Sequence, residues 1–237
     1  MYILKIFILI CLIVILHILT TQYNIEPFDN NKIITFIIPS IGRPTITRTI
    51  RSLQKLNNPN WNAIVIFDGV KNNISHIKDP RIKYYEIKKK GKLNMGGKTR
   101  NYGINKVKNS EWIGFVDDDD TISPNYIDKL LLDAKHGFDC IIFRMIVDTN
   151  NILPPLNTTY IHKNKVGISF CVKRNVLHKN NFKNSKTEDF NLLYKLKQKK
   201  YKILLSKNIT YFVRMNPIKN IYTNVTGSEL KDPVILH

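Results

Sequence analysis

Short apolar runs rich in β-branched residues alternate along this chain with segments of helical periodicity, and this alternation restricts the possible folds strongly. The runs IITFII, AIVIF and WIGFV, at residues 33–38, 63–67 and 112–116, each predict a strand buried on both faces. Helices are predicted between and after them, over about 45–56, 98–107 and 124–134. Strands that alternate with helices predict an α/β sandwich with a mainly parallel central sheet flanked by helices.

The second half of the chain continues the pattern less regularly. Further strands are predicted over 82–87, 139–147, 166–172, 201–205 and 209–213, and helices over 174–178 and 188–199. The polar segment 149–165 and the tail 216–237 match no element. The pattern therefore predicts one folded domain over residues 32–215.

The first twenty residues, MYILKIFILICLIVILHILT, are almost continuously apolar and have about the length that spans a bilayer. A cleaved secretory signal is the alternative, but the following residues TTQ make a poor cleavage site. We therefore interpret residues 1–20 as a signal anchor, one transmembrane helix, and 21–31 as a linker. Lys5 precedes the run and Glu26 follows it, which predicts a cytosolic N-terminus and a catalytic domain on the lumenal or exterior side.

The chain is strongly basic, with 37 Lys and Arg against 18 Asp and Glu and a net charge of +19. This charge has two interpretations, a polyanionic partner or simply a composition rich in Lys, Asn and Ile. The three cysteines form no disulfide framework, and no Cys and His cluster has the spacing of a zinc site.

Residues 117–120 are four consecutive aspartates at the end of the predicted strand 112–116. Two carboxylates 4 Å apart repel by roughly 1 kcal/mol in water and about 4 kcal/mol at an effective dielectric of 20. A hard divalent cation such as Mg²⁺ or Mn²⁺, bound together with substrate phosphates, would relieve this repulsion. The alternative is a solvated acidic turn in which Asp120 or Thr121 caps the helix at Pro124.

Polar residues also follow the other predicted strands. Ser40 and Arg43 come after the first strand and Asp68 ends the second. In an open α/β sheet, ligands bind beyond the carboxyl ends of the strands, so we expect these groups to meet the aspartates there. Glu188 and Asp189 begin a predicted helix, where acidic residues are common, but either could also serve as a general base.

Six segments in this order resemble the inverting family 2 glycosyltransferases of the GT-A fold. They are ITFIIPSIGRP, NAIVIFDG, GGKTRNYGI, WIGFVDDDD with its D-x-D pattern, KTEDFNLLYKL and YFVRMN. The resemblance covers about residues 33–215 and implies a GT-A-type Rossmann-like sandwich as the catalytic domain over 32–215. With the N-terminal segment, it implies a membrane-anchored, single-domain member of the family.

The resemblance also implies roles for individual residues. Asp119 is the expected metal ligand for Mn²⁺ or Mg²⁺, and Asp117 and Asp118 are expected near the ribose and sugar of the donor. The register within 117–120 stays open because all four residues are aspartates. Asp189 is the expected catalytic base.

The remaining implied roles concern donor binding. The opening loop is expected to line the nucleotide, and Arg100 to lie near the donor. Asp68 is expected to accept a hydrogen bond from the base, which favours uracil. The opening-loop residues concerned are Pro39, Ser40 and Arg43.

The predicted function is metal-dependent, inverting transfer of a sugar from a nucleoside-diphosphate donor, with a UDP-sugar favoured. The acceptor is a hydroxyl of a glycan, lipid or protein, and no nucleic acid partner is expected. One base acting directly, without a covalent intermediate, predicts inversion. No Q-x-x-R-W motif is present, which favours single addition over processive synthesis. The alternatives are a nucleotidyltransferase on a similar scaffold and a non-catalytic basic protein that binds polyanions.

Overall fold

The computed structural model describes residues 32–89, 95–148, 151–217 and 234–236. The predicted anchor at 1–20 and the linker at 21–31 lie outside these residues. The described part of the chain has no helix that is both long and apolar enough to cross a bilayer. This finding contradicts the predicted single-pass membrane location.

Ten strands in the described residues form a single sheet, ordered in space β10-β9-β6-β8-β4-β1-β2-β3, with β5 paired to β9 and β7 to β6. Strands β1 to β4 pair in parallel and match predicted strands, and β1, β2 and β4 are runs of mostly buried residues whereas only Ile82 is buried in β3. The strands are β1 (Lys32–Ser40), β2 (Trp61–Asp68), β3 (Ile82–Ile87), β4 (Ser110–Phe115), β5 (Thr121–Ile122), β6 (Cys140–Asp148), β7 (Asn151–Leu153), β8 (Phe170–Lys173), β9 (Ile203–Phe212) and β10 (Val234–Leu236).

The second half of the sheet differs from the prediction of a mainly parallel sheet. Strand β8 runs antiparallel to both β4 and β6, and β5, β7 and β10 are antiparallel to their neighbours. Among the strands described here, β6 and β9 alone pair in parallel in this half. The sheet is therefore mixed. The described residues between β6 and β8 contain no helix, and a parallel connection would need a crossover of that kind.

Five helices in the described residues flank the sheet. They are α1 (Ile46–Gln54), α2 (Gly97–Ile104), α3 (Tyr126–Ala134), α4 (Arg174–Leu177) and α5 (Glu188–Gln198). Helices α2 and α3 lie on opposite faces of the sheet. Gly103 of α2 packs on Ile37, whereas the ring of Tyr126 in α3 lies 5.3 Å from the ring of Phe36, and successive residues of a strand point to opposite faces. A Cβ on Gly103 would lie 2.7 Å from the Ile37 side chain, so this close approach requires glycine.

The late elements are merged or shortened relative to the prediction. The strands predicted over 201–205 and 209–213 are one strand, β9, whose register against β6 shifts partway along. The strand predicted over 166–172 is only the four residues of β8. The unassigned segment 149–165 contributes the short strand β7. Local sequence patterns missed the continuity of β9 because exposed Lys207 interrupts an otherwise buried run.

Candidate active site

The carboxyl ends of β1, β2 and β4 lie at the same edge of the sheet. In the parallel register, Ser40 pairs with Phe67, beside Asp68, and Ile37 pairs with Phe115, two residues before Asp117. The polar residues that follow these strands therefore come together, as the sequence predicted. Pro39 is partly exposed and directly precedes Ser40.

Asp118 is buried and joins the acidic turn to the loop after β1. Its carboxylate accepts hydrogen bonds from Ser40 Oγ at 2.8 Å, from the backbone N–H of Ile41 at 3.1 Å and from Arg43 Nη1 at 2.6 Å. A buried carboxylate is tolerated when it is paired and hydrogen-bonded in this way. Asp118 thereby fixes the shape of the loop that the sequence assigned to the nucleotide.

Asp120 is also buried, on the side of the turn that faces β9. Its carboxylate accepts hydrogen bonds from Tyr211 Oη at 2.7 Å and from the backbone N–H of Arg214 at 2.9 Å. Burial, reinforced by the negative charge of Asp117, raises the pKa of Asp120 to about 7. The expectation that Asp120 or Thr121 caps the next helix is wrong, because α3 begins only at Tyr126 and Thr121 lies in β5.

Asp117 and Asp119 are the two aspartates with accessible side chains, at 34% and 16% exposure. Asp117 pairs with Arg100. Asp119 Oδ2 lies 3.3 Å from Arg214 Nε and 3.6 Å from Arg43 Nη1. The four aspartates thus alternate between inward and outward positions. The accessible pair is separated by one residue, which is the spacing of a D-x-D pattern.

The described residues contain no group of three or more His, Cys, Asp or Glu side chains placed to hold a metal ion. Mg²⁺ typically takes one or two protein carboxylates and fills its other positions with water and substrate phosphates. Asp119 fits such a ligand, because its carboxylate contacts two arginines at 3.3 Å or more, one of them highly exposed.

Glu188 connects the starts of helices α2 and α5. Its carboxylate accepts hydrogen bonds from the backbone N–H groups of Gly96 at 3.0 Å and Gly97 at 2.9 Å, and it pairs with Arg100. Arg100 is 5% exposed and also pairs with Asp117. Sequence reasoning did not find this role of Glu188, although the neighbouring pairs Gly96-Gly97 and Glu188-Asp189 were visible as motifs.

Asp189 lies next to this cluster with little hydrogen bonding. Its Oδ1 atom is buried and has no hydrogen-bond partner among the described residues. Burial raises the pKa of Asp189 to about 7, reinforced by Asp117 and Glu188 and opposed by Arg100. A carboxylate with a pKa near neutrality suits proton transfer at physiological pH.

Two other residues complete the edge. Asp68 is 7% exposed and accepts a hydrogen bond from Thr99 Oγ1 at 2.7 Å, so α2 helps to orient it. Tyr211 Oη also accepts a hydrogen bond from the backbone N–H of Asp117, at 3.1 Å. Sequence reasoning missed Tyr211 because it lies in an apolar run, where an aromatic residue usually indicates core packing.

The mixed sheet, with an acidic turn at the carboxyl ends of its parallel strands, is a Rossmann-like arrangement of the GT-A type. Residues 35–195 match the model of the family described as "Glycosyl transferase family 2", which is more than half of the chain. The chain therefore belongs to glycosyl transferase family 2. No curated protein sequence matches it.

Two solved structures have a similar fold. Residues 1–349 of TarS from S. aureus, in complex with UDP-GlcNAc, align with a TM-score of 0.63 and 15% identity over 81% of this chain and 61% of that one. The mannosyltransferase PcManGT from Pyrobaculum calidifontis, in complex with GDP-Man and Mn²⁺, gives a TM-score of 0.60 and 12% identity over 88% and 66%. The chain thus spans less than two thirds of either structure's length, and at these identities the likeness is one of fold.

Proposed function

We propose that this glycosyltransferase moves a sugar from a nucleoside-diphosphate donor to an acceptor hydroxyl, with inversion and with the help of a divalent metal. The observation that carries the proposal is the cluster of carboxylates around Arg100. Arg100 pairs with Asp117, whose carboxylate is accessible, and interacts electrostatically with Asp189, whose buried Oδ1 has no partner among the described residues. This arrangement supports a donor site and a base that share one positioning residue.

The donor is proposed to bind across the carboxyl ends of β1, β2 and β4. Asp68 is proposed to accept a hydrogen bond from the nucleotide base, and Pro39, Ser40 and Arg43 to line the rest of the nucleotide. Asp118 contributes by holding the β1 loop, since its oxygens already accept three hydrogen bonds. Structures of similar fold contain UDP-GlcNAc or GDP-Man, which supports a nucleotide-sugar donor, and we favour UDP.

The metal is proposed to be Mn²⁺ or Mg²⁺, held by Asp119 and the donor phosphates. When bound, such an ion stabilises the negative charge that develops on the leaving diphosphate. Arg43 and Arg214 already contact Asp119, so both guanidinium groups lie where they can also neutralise phosphate oxygens. The D-x-D pair is then Asp117 and Asp119.

The proton is proposed to move to Asp189. As the acceptor oxygen bonds to the anomeric carbon, the bond from that carbon to the donor phosphate breaks and the nucleoside diphosphate leaves. The hydroxyl proton passes to the Asp189 carboxylate, which must be ionised beforehand. Attack on the side opposite the leaving group inverts the anomeric configuration. The acceptor is proposed to be a glycan, lipid or protein hydroxyl.

A donor screen with Mn²⁺ and with Mg²⁺ tests this proposal by measuring released nucleoside diphosphate. Asp119→Ala and Asp189→Ala should each abolish transfer, whereas Asp189→Ala should still bind the donor. Wild-type turnover in both variants would refute the assigned roles. Release of pyrophosphate in place of nucleoside diphosphate would instead identify a nucleotidyltransferase.

A further inference from the structure

Helix α1 and the residue that follows it place three basic side chains on the wall of a cavity that the proposed reaction does not use. The cavity has a volume of about 700 Å³ and lies between α1, strand β5 and residues 216–217. Among the residues described, its lining contains Arg48, Arg51 and Lys55 and no acidic side chain. Arg48 and Arg51, at positions i and i+3, project from one side of α1, and Lys55 directly follows the last residue of the helix.

This cluster of like charges lacks neutralising partners in the described part of the chain. Neither Arg51 nor Lys55 forms an ion pair there, although like charges one turn apart disfavour a helix. Arg48 donates from Nη2 to the backbone carbonyl of Asp119 at 2.6 Å, and its Nε is buried without a partner. The wall therefore has unused capacity to bind an anion.

The cavity lies on the other side of the sheet from the proposed base. The segment that follows α1 lies beside the segment that leads into α3, because the backbone N–H of Asn57 donates to the carbonyl of Pro124 at 2.8 Å. Helix α3 covers the face of Phe36, whereas α2, which Glu188 ties to α5, covers the face of Ile37. A ligand in the cavity is therefore separate from the acceptor hydroxyl that Asp189 is proposed to deprotonate.

We propose that this cavity binds the phosphate group of a small phosphate monoester that is distinct from the sugar donor. Guanidinium groups bind phosphate through paired, charge-assisted hydrogen bonds. The hydroxyl of Thr47 and the amide of Asn216, both in the lining, add neutral groups for the rest of the ligand. The volume is within the range of small-molecule sites and larger than a free phosphate ion needs.

The test is calorimetric titration of the full chain with glycerol 3-phosphate, without divalent metal, and with glycerol as the uncharged control. The wild type should bind glycerol 3-phosphate and not glycerol. The variant Arg51→Gln/Lys55→Gln should bind it about tenfold more weakly or worse, because both charges are lost from the wall. The variant Lys135→Gln/Lys199→Gln removes two exposed charges elsewhere and should stay within about twofold of the wild type.

Two results would overturn the proposal. One is equal affinity in the wild type and in Arg51→Gln/Lys55→Gln, and the other is no binding by the wild type at millimolar concentrations. A third variant, Arg43→Gln, changes the proposed donor site and leaves the cavity intact. If this variant lost binding of glycerol 3-phosphate while Arg51→Gln/Lys55→Gln kept it, the proposed phosphate site in the cavity would also be refuted. Release of nucleoside diphosphate by Arg51→Gln/Lys55→Gln should be unchanged, and this readout tests the proposed reaction independently.

Discussion

Replacing Asp189 with Asn should make the folded protein more stable at pH 8, and this prediction needs no knowledge of the substrate. Burial raises the pKa of Asp189 from its ordinary 3.8 to about 7, so the folded state disfavours the ionised carboxylate. At 1.36 kcal/mol per pH unit, this difference corresponds to about 4 kcal/mol. Because the side chain is partly exposed and water screens it, we expect a gain of about 1–3 kcal/mol from the substitution.

The sign of the pH dependence follows from the same pKa. The wild type is most stable, relative to the variant, below the unfolded pKa of 3.8, where Asp189 is protonated in both states. This relative stability of the wild type is lost as the pH rises through about 7. Over that range the carboxyl is ionised in the unfolded chain but still largely protonated in the folded protein, so rising pH favours unfolding. The advantage of Asp189→Asn should therefore shrink by more than half between pH 8 and pH 5.

Urea unfolding of both proteins at pH 5 and pH 8 measures the effect, with Glu111→Gln as the control. Glu111 is an exposed carboxylate on β4, so its substitution should change the free energy of unfolding by less than about 0.5 kcal/mol at either pH. If Asp189→Asn were less stable than the wild type at pH 8, or if its advantage did not vary with pH, the inferred burial of this charge would be refuted.

Three further predictions follow from the same cluster. The kcat/KM for transfer should fall with unit slope as pH drops below about 7, because Asp189 must be ionised to accept a proton; a flat profile between pH 5 and pH 8 would rule out this base. Gly97→Ala should lower the free energy of unfolding by about 1–3 kcal/mol in urea titrations, since its Cβ would lie 2.6 Å from the Glu188 carboxylate. Gly137→Ala is the control for backbone strain without crowding, because its Cβ would meet no atom within 4 Å although its φ is +73°. Tyr211→Phe should lower thermal stability by about 1–3 kcal/mol, because Asp120 and the Asp117 N–H both lose their partner; an unchanged melting temperature would contradict the hydrogen bonds described.

Local sequence patterns predicted the strand ends well. A strand that is buried on both faces is apolar along its length, and the polar residue that ends the apolar run marks where the strand reaches the surface. Ser40, Asp68 and Asp117 were placed at one edge for this reason. The direction of β8 could not be predicted in the same way. A short apolar run contains no information on the direction of its strand, which is decided by the connection that leads into it.

The division of the four aspartates could not be predicted locally either. Which carboxylates point inward is decided by Ser40 and Tyr211, which lie 78 and 91 residues away in sequence from Asp118 and Asp120 respectively. The role of Glu188 likewise depends on Gly97, 91 residues earlier. Identical residues in a row carry no pattern, so only the tertiary contacts distinguish them.

These long sequence separations have a consequence for the order in which the molecule folds. Asp120 and the Asp117 N–H are held by Tyr211, close to the end of β9, so the acidic turn cannot take its final shape until most of the chain has left the ribosome. Contacts of such high sequence separation carry a loop-closure cost and form slowly. Strands β1 to β4 can collapse earlier, with Asp117 and Asp118 already paired to Arg100 and Arg43, which would leave the Asp120 carboxylate without its two hydrogen-bond donors until β9 docks.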